Sequence, residues 1–424
     1  MYYLLFGCYL IFFSWLIPRI NFLKNSGLNN TSLVLLFLIK VLVGVYYGLI
    51  TQYIPNSSDN WGMHTEGVNE FHLLFKHPSQ YALNIFHDDY NNSYGGLLDT
   101  TDSYWNVLRT KIMAKLLSIF DIFSGCNYYI NTIFYNFLVF FGFVAIFRIY
   151  ISIYVNRHKL LVICVFLLPS LIYFSSVIHK DGLIFLAIAT TCYNMRLVLH
   201  EKQFILRRLV FILLGVVIIF LLRNFVLITL IPALVAWWAA AKNSKQVVLT
   251  FTVVYIFFTI MFFSLHVISP AADLPRYVSE RQIQFLKISK EAGSLINVNL
   301  LFPDFRSFLN NAPQAINHSL MRPYLTEKTT FTYFMVASEI FVFELLFACF
   351  LIFPVKNARN DPFIYFGIFF SLSMMMIIGY TIPVIGAIVR YRSIYFPFLI
   401  IPLVCSTDWG KFRFKRTAPS TTDS

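Results

Sequence analysis

Asp59, His64 and Glu66 stand together in Ser58-Asp59-Asn60-Trp61-Gly62-Met63-His64-Thr65-Glu66, a stretch that directly follows an apolar run. A carboxylate placed beside a hydroxyl can take its proton as a general base. Lys180 and Asp181 close a second stretch, Ser175-Ser176-Val177-Ile178-His179-Lys180-Asp181. Arg223 interrupts a third apolar run, and Arg390 and Arg392 open Arg390-Tyr391-Arg392-Ser393-Ile394-Tyr395-Phe396-Pro397. The guanidinium fork is permanently charged and matches phosphate oxygens in pairs. An acid with three or four cations is the equipment for transfer onto a hydroxyl with a phosphate leaving group. Asp59 is the candidate base, with Glu66 and His64 beside it. Lys180, Asp181, Arg223, Arg390 and Arg392 are the candidate substrate-binding set.

The elements that must position these groups are membrane spans. Hydrophobic residues make up 58% of the 424-residue chain and charged residues 12%, half the charge of an ordinary soluble domain. That much apolar surface has no place in an aqueous fold of this size. The same composition excludes disorder, coiled coil and a disulfide scaffold. The formal charge of +13 sits in short strings between apolar runs, not on one soluble face, so it gives orientation and not nucleic-acid binding.

A span takes roughly 20 apolar residues. The sequence predicts an all-α polytopic protein of about eleven spans (ten to twelve), at 2–17, 32–54, 128–151, 160–178, 182–198, 209–222, 225–241, 247–267, 332–353, 361–381 and 393–406. The first run has no basic residue before it and reads as a span, not a signal peptide. Only Arg223 and Asn224 separate 209–222 from 225–241, which leaves two short spans or one long broken one. Lys and Arg are retained on the cytoplasmic side. With the amino terminus out and the carboxyl terminus in, Arg19, Lys24, Arg157, Lys159, Lys202, Arg207, Arg208, Lys242, Lys245, Lys356, Arg359 and the tail cations fall inside. The outer turns then keep Lys180, Arg223, Arg390 and Arg392. That count makes Arg223 an outward turn between two spans, and puts the candidate charges on one side of the membrane at one depth.

Two outer segments, 55–127 and 268–331, are too long for plain connectors. Helical apolar spacing runs from Glu66 to His72, from Ile112 to Phe123 and from Arg281 to Ile296, as in helices lying along a membrane surface. No internal repeat of the transporter kind is visible. The organisation is an added amino-terminal span and inner loop (1–31), a seven-span module (32–267), the second outer loop (268–331), carboxy-terminal spans (332–406) and a polar tail (407–424).

His87-Asp88-Asp89 offers clustered carboxylates of the kind that hold Mg or Mn; Asp88 and Asp89 are weak metal candidates, and no cofactor is required by the sequence. Lys40, Glu339 and Glu344 fall inside predicted spans, where an ionisable group costs about 2.5–3.5 kcal/mol on insertion scales unless paired; structural pairing is their expected role. Asn56, Asn91 and Asn317 begin Asn-x-Ser/Thr triplets that carry little weight. Cys8, Cys164, Cys192, Cys349 and Cys405 lie in apolar runs and Cys126 near a loop, without metal or disulfide spacing.

The layout resembles the polytopic glycosyltransferases of the GT-C superfamily and overlaps with polysaccharide polymerases of the Wzy and EpsG-like type. The likeness rests on the long outer loop opened by Asp59, on Pro169-Ser-Leu-Ile-Tyr-Phe-Ser-Ser-Val-Ile-His-Lys-Asp181, on the second outer loop, and on Arg390-Tyr391-Arg392 through Pro397. It implies that Asp59 is the catalytic base and that Arg390 and Arg392 hold the phosphate or pyrophosphate of a polyprenyl-linked sugar. The region around Asp59 lacks the family's paired-acid motif. The resulting expectation is a transferase or polymerase at the outer face of a bacterial cytoplasmic membrane, with the bilayer and a polyprenyl-linked saccharide as partners. The alternatives are a flippase of lipid-linked saccharide and a non-catalytic subunit of an envelope assembly.

Overall fold

A computed structural model describes residues 2–53, 59–85, 104–201, 205–242, 244–289, 293–327, 331–355 and 360–412. Among them the chain is helical, with two isolated β-bridges, Leu295 to Val384 and Pro354 to Thr407. In order the α-helices are α1 (Tyr2–Leu16), α2 (Asn21–Lys24), α3 (Asn30–Gln52), α4 (Asp59–Lys76), α5 (Pro78–Leu83), α6 (Tyr104–Ser124) and α7 (Tyr128–Ile153). Then come α8 (His158–Phe166), α9 (Pro169–Ser176), α10 (Lys180–Leu199), α11 (Leu206–Arg223), α12 (Leu227–Lys242) and α13 (Val247–Ile268). The last are α14 (Leu274–Ile288), α15 (Phe305–Ile316), α16 (Phe331–Ile352), α17 (Pro362–Thr381), α18 (Ile385–Tyr395) and α19 (Pro397–Cys405).

Among the described residues eight stretches are long and apolar enough to cross a membrane, with Leu206–Lys242 counted as one, or ten if each of two bent pairs is one span. The centre is built by α7, α10 and α17, whose side chains are buried almost all round. The peripheral α11, α13 and α16 leave Leu213, Leu214, Ile256, Phe257, Val342 and Leu345 exposed, the surface that lipid covers.

Two predicted spans are bent pairs. Residues 160–178 divide into α8 and α9, at 47°, and 393–406 forms only the second arm of α18 with α19, at 56°. Pro169 and Pro397 start the second arms. Proline has no N–H for the preceding turn and clashes with it, so the ladder stops there.

Leu206–Lys242 passes as one apolar stretch of 37 residues, about 55 Å if straight at 1.5 Å per residue. Its contacts show that it reverses. Arg208, near its start, donates to Asn194 on α10 at 3.3 Å. Trp237, near its end, packs on Phe363 with ring centroids 5.1 Å apart. Asp361, just before Phe363, pairs with Arg196 of α10 at 3.2 Å, so both ends meet one end of the bundle. Arg223 in the middle lies at the other end, on Asp181. The turn is the 3-10 segment Asn224–Val226, which agrees with reading 209–222 and 225–241 as two spans.

The long segments fold onto the end that carries Arg223. α4 and α6 pack on each other, and Gly67 comes so close to Leu117 that a Cβ there would stand 2.6 Å from the Leu117 Cβ. The helical stretches predicted at 66–72 and 112–123 extend to the full α4 and α6. The helix expected from Arg281 to Ile296 is corrected: α14 ends at Ile288, residues 290–292 lie outside the described residues, and Ile296 donates to the Pro383 carbonyl at 2.8 Å. α15 docks against α17 at Gly379, where Ala315 backbone leaves no room for a side chain.

Candidate functional site

Asp59 is the first residue of α4, and the helix period decides which of its neighbours accompany it. Gly62, Met63 and Glu66 follow on the same face and line one cavity of about 570 Å³ with it. Asn60, His64, Gly67 and Glu70 take the opposite face and are buried. His64 therefore stands away from the cavity, a correction to its place beside Asp59. It lies edge-on to Trp61 and Tyr128, and its Nδ1 is 3.5 Å from the Asn131 amide. Burial pushes His64 down to about 4, against a smaller opposite effect from a Cys126 backbone hydrogen bond. Behind it Asp121 accepts from Asn131 at 2.7 Å and from Ser124 at 3.3 Å. Burial outweighs these bonds and raises its carboxyl.

The cavity is closed by residues from five further segments: Arg109 and Thr110 of α6, His179 and Lys180 at the start of α10, Phe220–Phe225, Tyr277 with Arg281 of α14, and Arg390 with Tyr391 of α18. Arg390 donates from Nη1 to Asp59 Oδ2 at 2.9 Å and stands 3.0 Å from Asp181 Oδ2. Arg223 donates to Asp181 Oδ1 and lies 4.1 Å from the centroid of the Tyr391 ring. Asp181 is 1% exposed. It is ionically paired with both arginines and does not line the large cavity; its place is behind the cations it holds. A buried carboxylate is tolerable only with such partners.

His179 completes the cluster and was not singled out from the sequence. Its Nε2 lies 2.9 Å from Arg390 Nη2 and its Nδ1 lies 2.8 Å from Asp181 Oδ2. Arginine has donors only, so Nε2 accepts and the ring proton sits on Nδ1, directed at Asp181. Burial lowers His179, with Asp181 opposing and Arg390 assisting, which keeps the ring neutral. Asp59 Oδ2 stands 3.7 Å from Nε2. Burial would raise Asp59, but the charge and hydrogen bond of Arg390 outweigh it and hold the carboxyl below its usual range. Asp59 is thus an ionised, half-exposed carboxylate at the cavity wall.

Arg392 lies elsewhere. Two residues along a helix is a turn of about 200°, so Arg390 and Arg392 leave α18 on opposite sides. Arg392 is 2% exposed and donates to the carbonyls of Ser319 at 2.8 Å and Arg322 at 2.7 Å. It anchors the second long segment and does not line the cavity. Lys40 and Glu339 are held by hydroxyls: Lys40 Nζ reaches Ser175 at 2.8 Å and Ser176 at 3.1 Å, and Ser170 donates to Glu339 at 2.8 Å. Asp88 and Asp89 lie outside the described residues. Among the described residues no three His, Cys, Asp or Glu gather as metal ligands.

Arg109 and Arg281 are cavity residues that the sequence did not mark. Both sit on amphipathic helices of the long segments, where a cation looks like ordinary surface. The arrangement as a whole is a cationic, partly aromatic cavity with two carboxylates at its wall, Asp59 and Glu66, on a protein built from membrane-crossing helices. No family model, no curated protein and no solved structure matches this chain.

Proposed function

We propose that this chain is an integral membrane glycosyltransferase or polysaccharide polymerase that uses a polyprenyl-phosphate- or pyrophosphate-linked sugar at the outer face of a bacterial cytoplasmic membrane. The observation that carries the reading is the meeting of Asp59 with Arg390 at 2.9 Å on the wall of a cavity shared with Lys180 and Arg223. Asp59 takes the proton of the acceptor hydroxyl as its oxygen forms the new bond to the anomeric carbon. The bond from that carbon to the phosphate oxygen breaks, and the electron pair leaves with the phosphate. Arg390 and Lys180 stabilise the charge that develops there, without reorganisation at the moment of transfer. Tyr277, Phe225 and Tyr391 offer flat faces for a sugar ring, as aromatic linings do in ligand pockets.

Translocation of a lipid-linked saccharide calls for polar groups along a whole pathway. The hydroxyl partners of Lys40 and Glu339 support a structural part for those two residues and hence transfer over translocation. The test is transfer of labelled sugar from a polyprenyl-linked donor by the purified protein in nanodiscs. Asp59→Asn is expected to lower turnover by about 10²–10⁴-fold with donor binding retained. Wild-type turnover by the Asp59→Asn protein would overturn the assignment.

A further inference from the structure

Arg223 and Arg390 have carboxylate partners in the protein. Among the described residues the other three cations on the cavity wall have none. No ion pair links Arg109, Lys180 or Arg281 to an acid among the described residues. Arg281 reaches the Tyr277 hydroxyl, at 3.4 Å, and the rings of Phe225 and Phe285, 4.9 and 5.6 Å from their centroids. Among the described residues Arg109 Nε and Arg223 Nη1 are buried donors without an acceptor. Burial, then the like charges of Arg281 and Arg223, disfavour the charged form of Arg109, so the three groups are held together against their own repulsion. They come from α6, α10 and α14, three helices that each contribute to the lining of this cavity. Buried unsatisfied donors are costly, and repelling cations gathered in one cavity are relieved by an anion.

We propose that Arg109, Lys180 and Arg281 form an anion subsite, distinct from the Asp59–Arg390–Asp181–Arg223 network, that takes the second phosphate of a diphosphate-linked lipid substrate. Charge counting supports two phosphates. With Lys180 protonated, the five cations Arg109, Lys180, Arg223, Arg281 and Arg390 are set against three carboxylates, Asp59 and Glu66 on the wall and Asp181 behind it, which leaves an excess of two positive charges. A sugar joined to a lipid through a diphosphate carries one negative charge on each phosphate, two in all; the monophosphate linkage carries one. The two arginine forks suit phosphate oxygens and Lys180 adds a point charge. This inference rests on the reading of the cavity as a lipid-phosphate site and narrows its substrate to the diphosphate class.

The experiment measures binding of farnesyl diphosphate, farnesyl monophosphate and uridine diphosphate to the full-length protein in nanodiscs. Wild type is expected to bind farnesyl diphosphate at least about tenfold more tightly than the monophosphate, a difference of about 1.4 kcal/mol. Arg109→Gln with Arg281→Gln is expected to abolish that preference while monophosphate affinity changes less than about threefold. Arg281→Gln alone, on a helix of the long segment, serves if the double variant does not fold, with a partial loss of preference expected. Equal wild-type affinity for the two farnesyl probes overturns the subsite, as does an equal loss of both in the variants. Uridine diphosphate binding as tightly as farnesyl diphosphate overturns the lipid source. A diphosphate preference in a protein that transfers no sugar leaves the subsite standing and removes the transferase reading; transfer without the preference does the reverse.

Discussion

Arg390 and Asp59 are 331 residues apart in the chain and 2.9 Å apart in space. The two oxygens of Asp181 divide the work behind them, one on Arg223 and the other between His179 and Arg390. Five ionisable or polar groups from four segments thereby fix one another, and the pairings differ sharply in how far they are shielded from water.

Asp181 and Asp59 are therefore expected to separate stability from activity. Asp181→Ala leaves the buried guanidinium of Arg223 uncompensated and takes from Arg390 one of its two acids, a loss of about 3–5 kcal/mol. Asp59, whose side chain is 60% exposed, contributes within about 1 kcal/mol as an ion pair. Melting midpoints of the two variants in the same detergent check this, with Asp181→Ala expected to fall much further.

Arg390 and Arg392 should behave oppositely despite their spacing. Arg392→Met abandons the Ser319 and Arg322 carbonyls and leaves buried acceptors unpaired, at about 1–3 kcal/mol each. The variant is expected to melt lower while the folded fraction binds anionic lipid normally. Arg390→Met is expected to lose that binding. Equal binding loss in the two variants would put Arg392 back in the cavity.

The buried polar pocket under α4 predicts a pH dependence with two signs. His64 is held down at about 4, so as the pH falls from about 6.5 to 4 the unfolded chain takes up a proton that the folded chain does not. Stability declines over that window, and His64→Gln should flatten the decline. Asp121 is raised, so it costs stability at neutral pH and none well below its unfolded value. Asp121→Asn should raise the melting midpoint at pH 7, with the gain shrinking as the pH nears 4.

Gly44 lets α3 press onto the helices beneath the site. A Cβ there would stand 2.5 Å from the Ser176 carbonyl oxygen and 2.7 Å from Thr132 Cγ2, and the carbonyl has no rotamer to yield. Gly44→Ala is expected to cost about 1–3 kcal/mol. Gly7→Ala, with nothing within 4 Å, should be neutral or slightly stabilising. Thermal unfolding of the pair compares them directly.

Much of this arrangement was legible from charge alone. Asp59, Lys180, Arg223 and Arg390 stood out because a charge beside an apolar run is expensive, and all four line one cavity. The reversal at Asn224 was legible from the basic residues flanking it. Arg392 was misplaced because adjacency in sequence was taken for adjacency in space, while a helix sends i and i+2 to different sides. His64 failed for the same reason, being five residues from Asp59. His179 was hidden because a histidine becomes informative only through the two groups that hold its nitrogens. Arg109 and Arg281 carried no mark, since on an amphipathic helix a cavity-facing arginine and a solvent-facing one look alike. The bends at Pro169 and Pro397 were present in the letters, but an apolar run longer than its proline still counts as one run.

The separation of Asp181 from its partners also sets an order of assembly. A ribosome delivers Asp181 42 residues before Arg223, and Arg390 emerges only after α17 has been made. Helices inserted early carry a bare acid whose second counter-ion does not yet exist. A nascent chain halted anywhere before α18 is consequently a set of inserted helices around an unfinished centre.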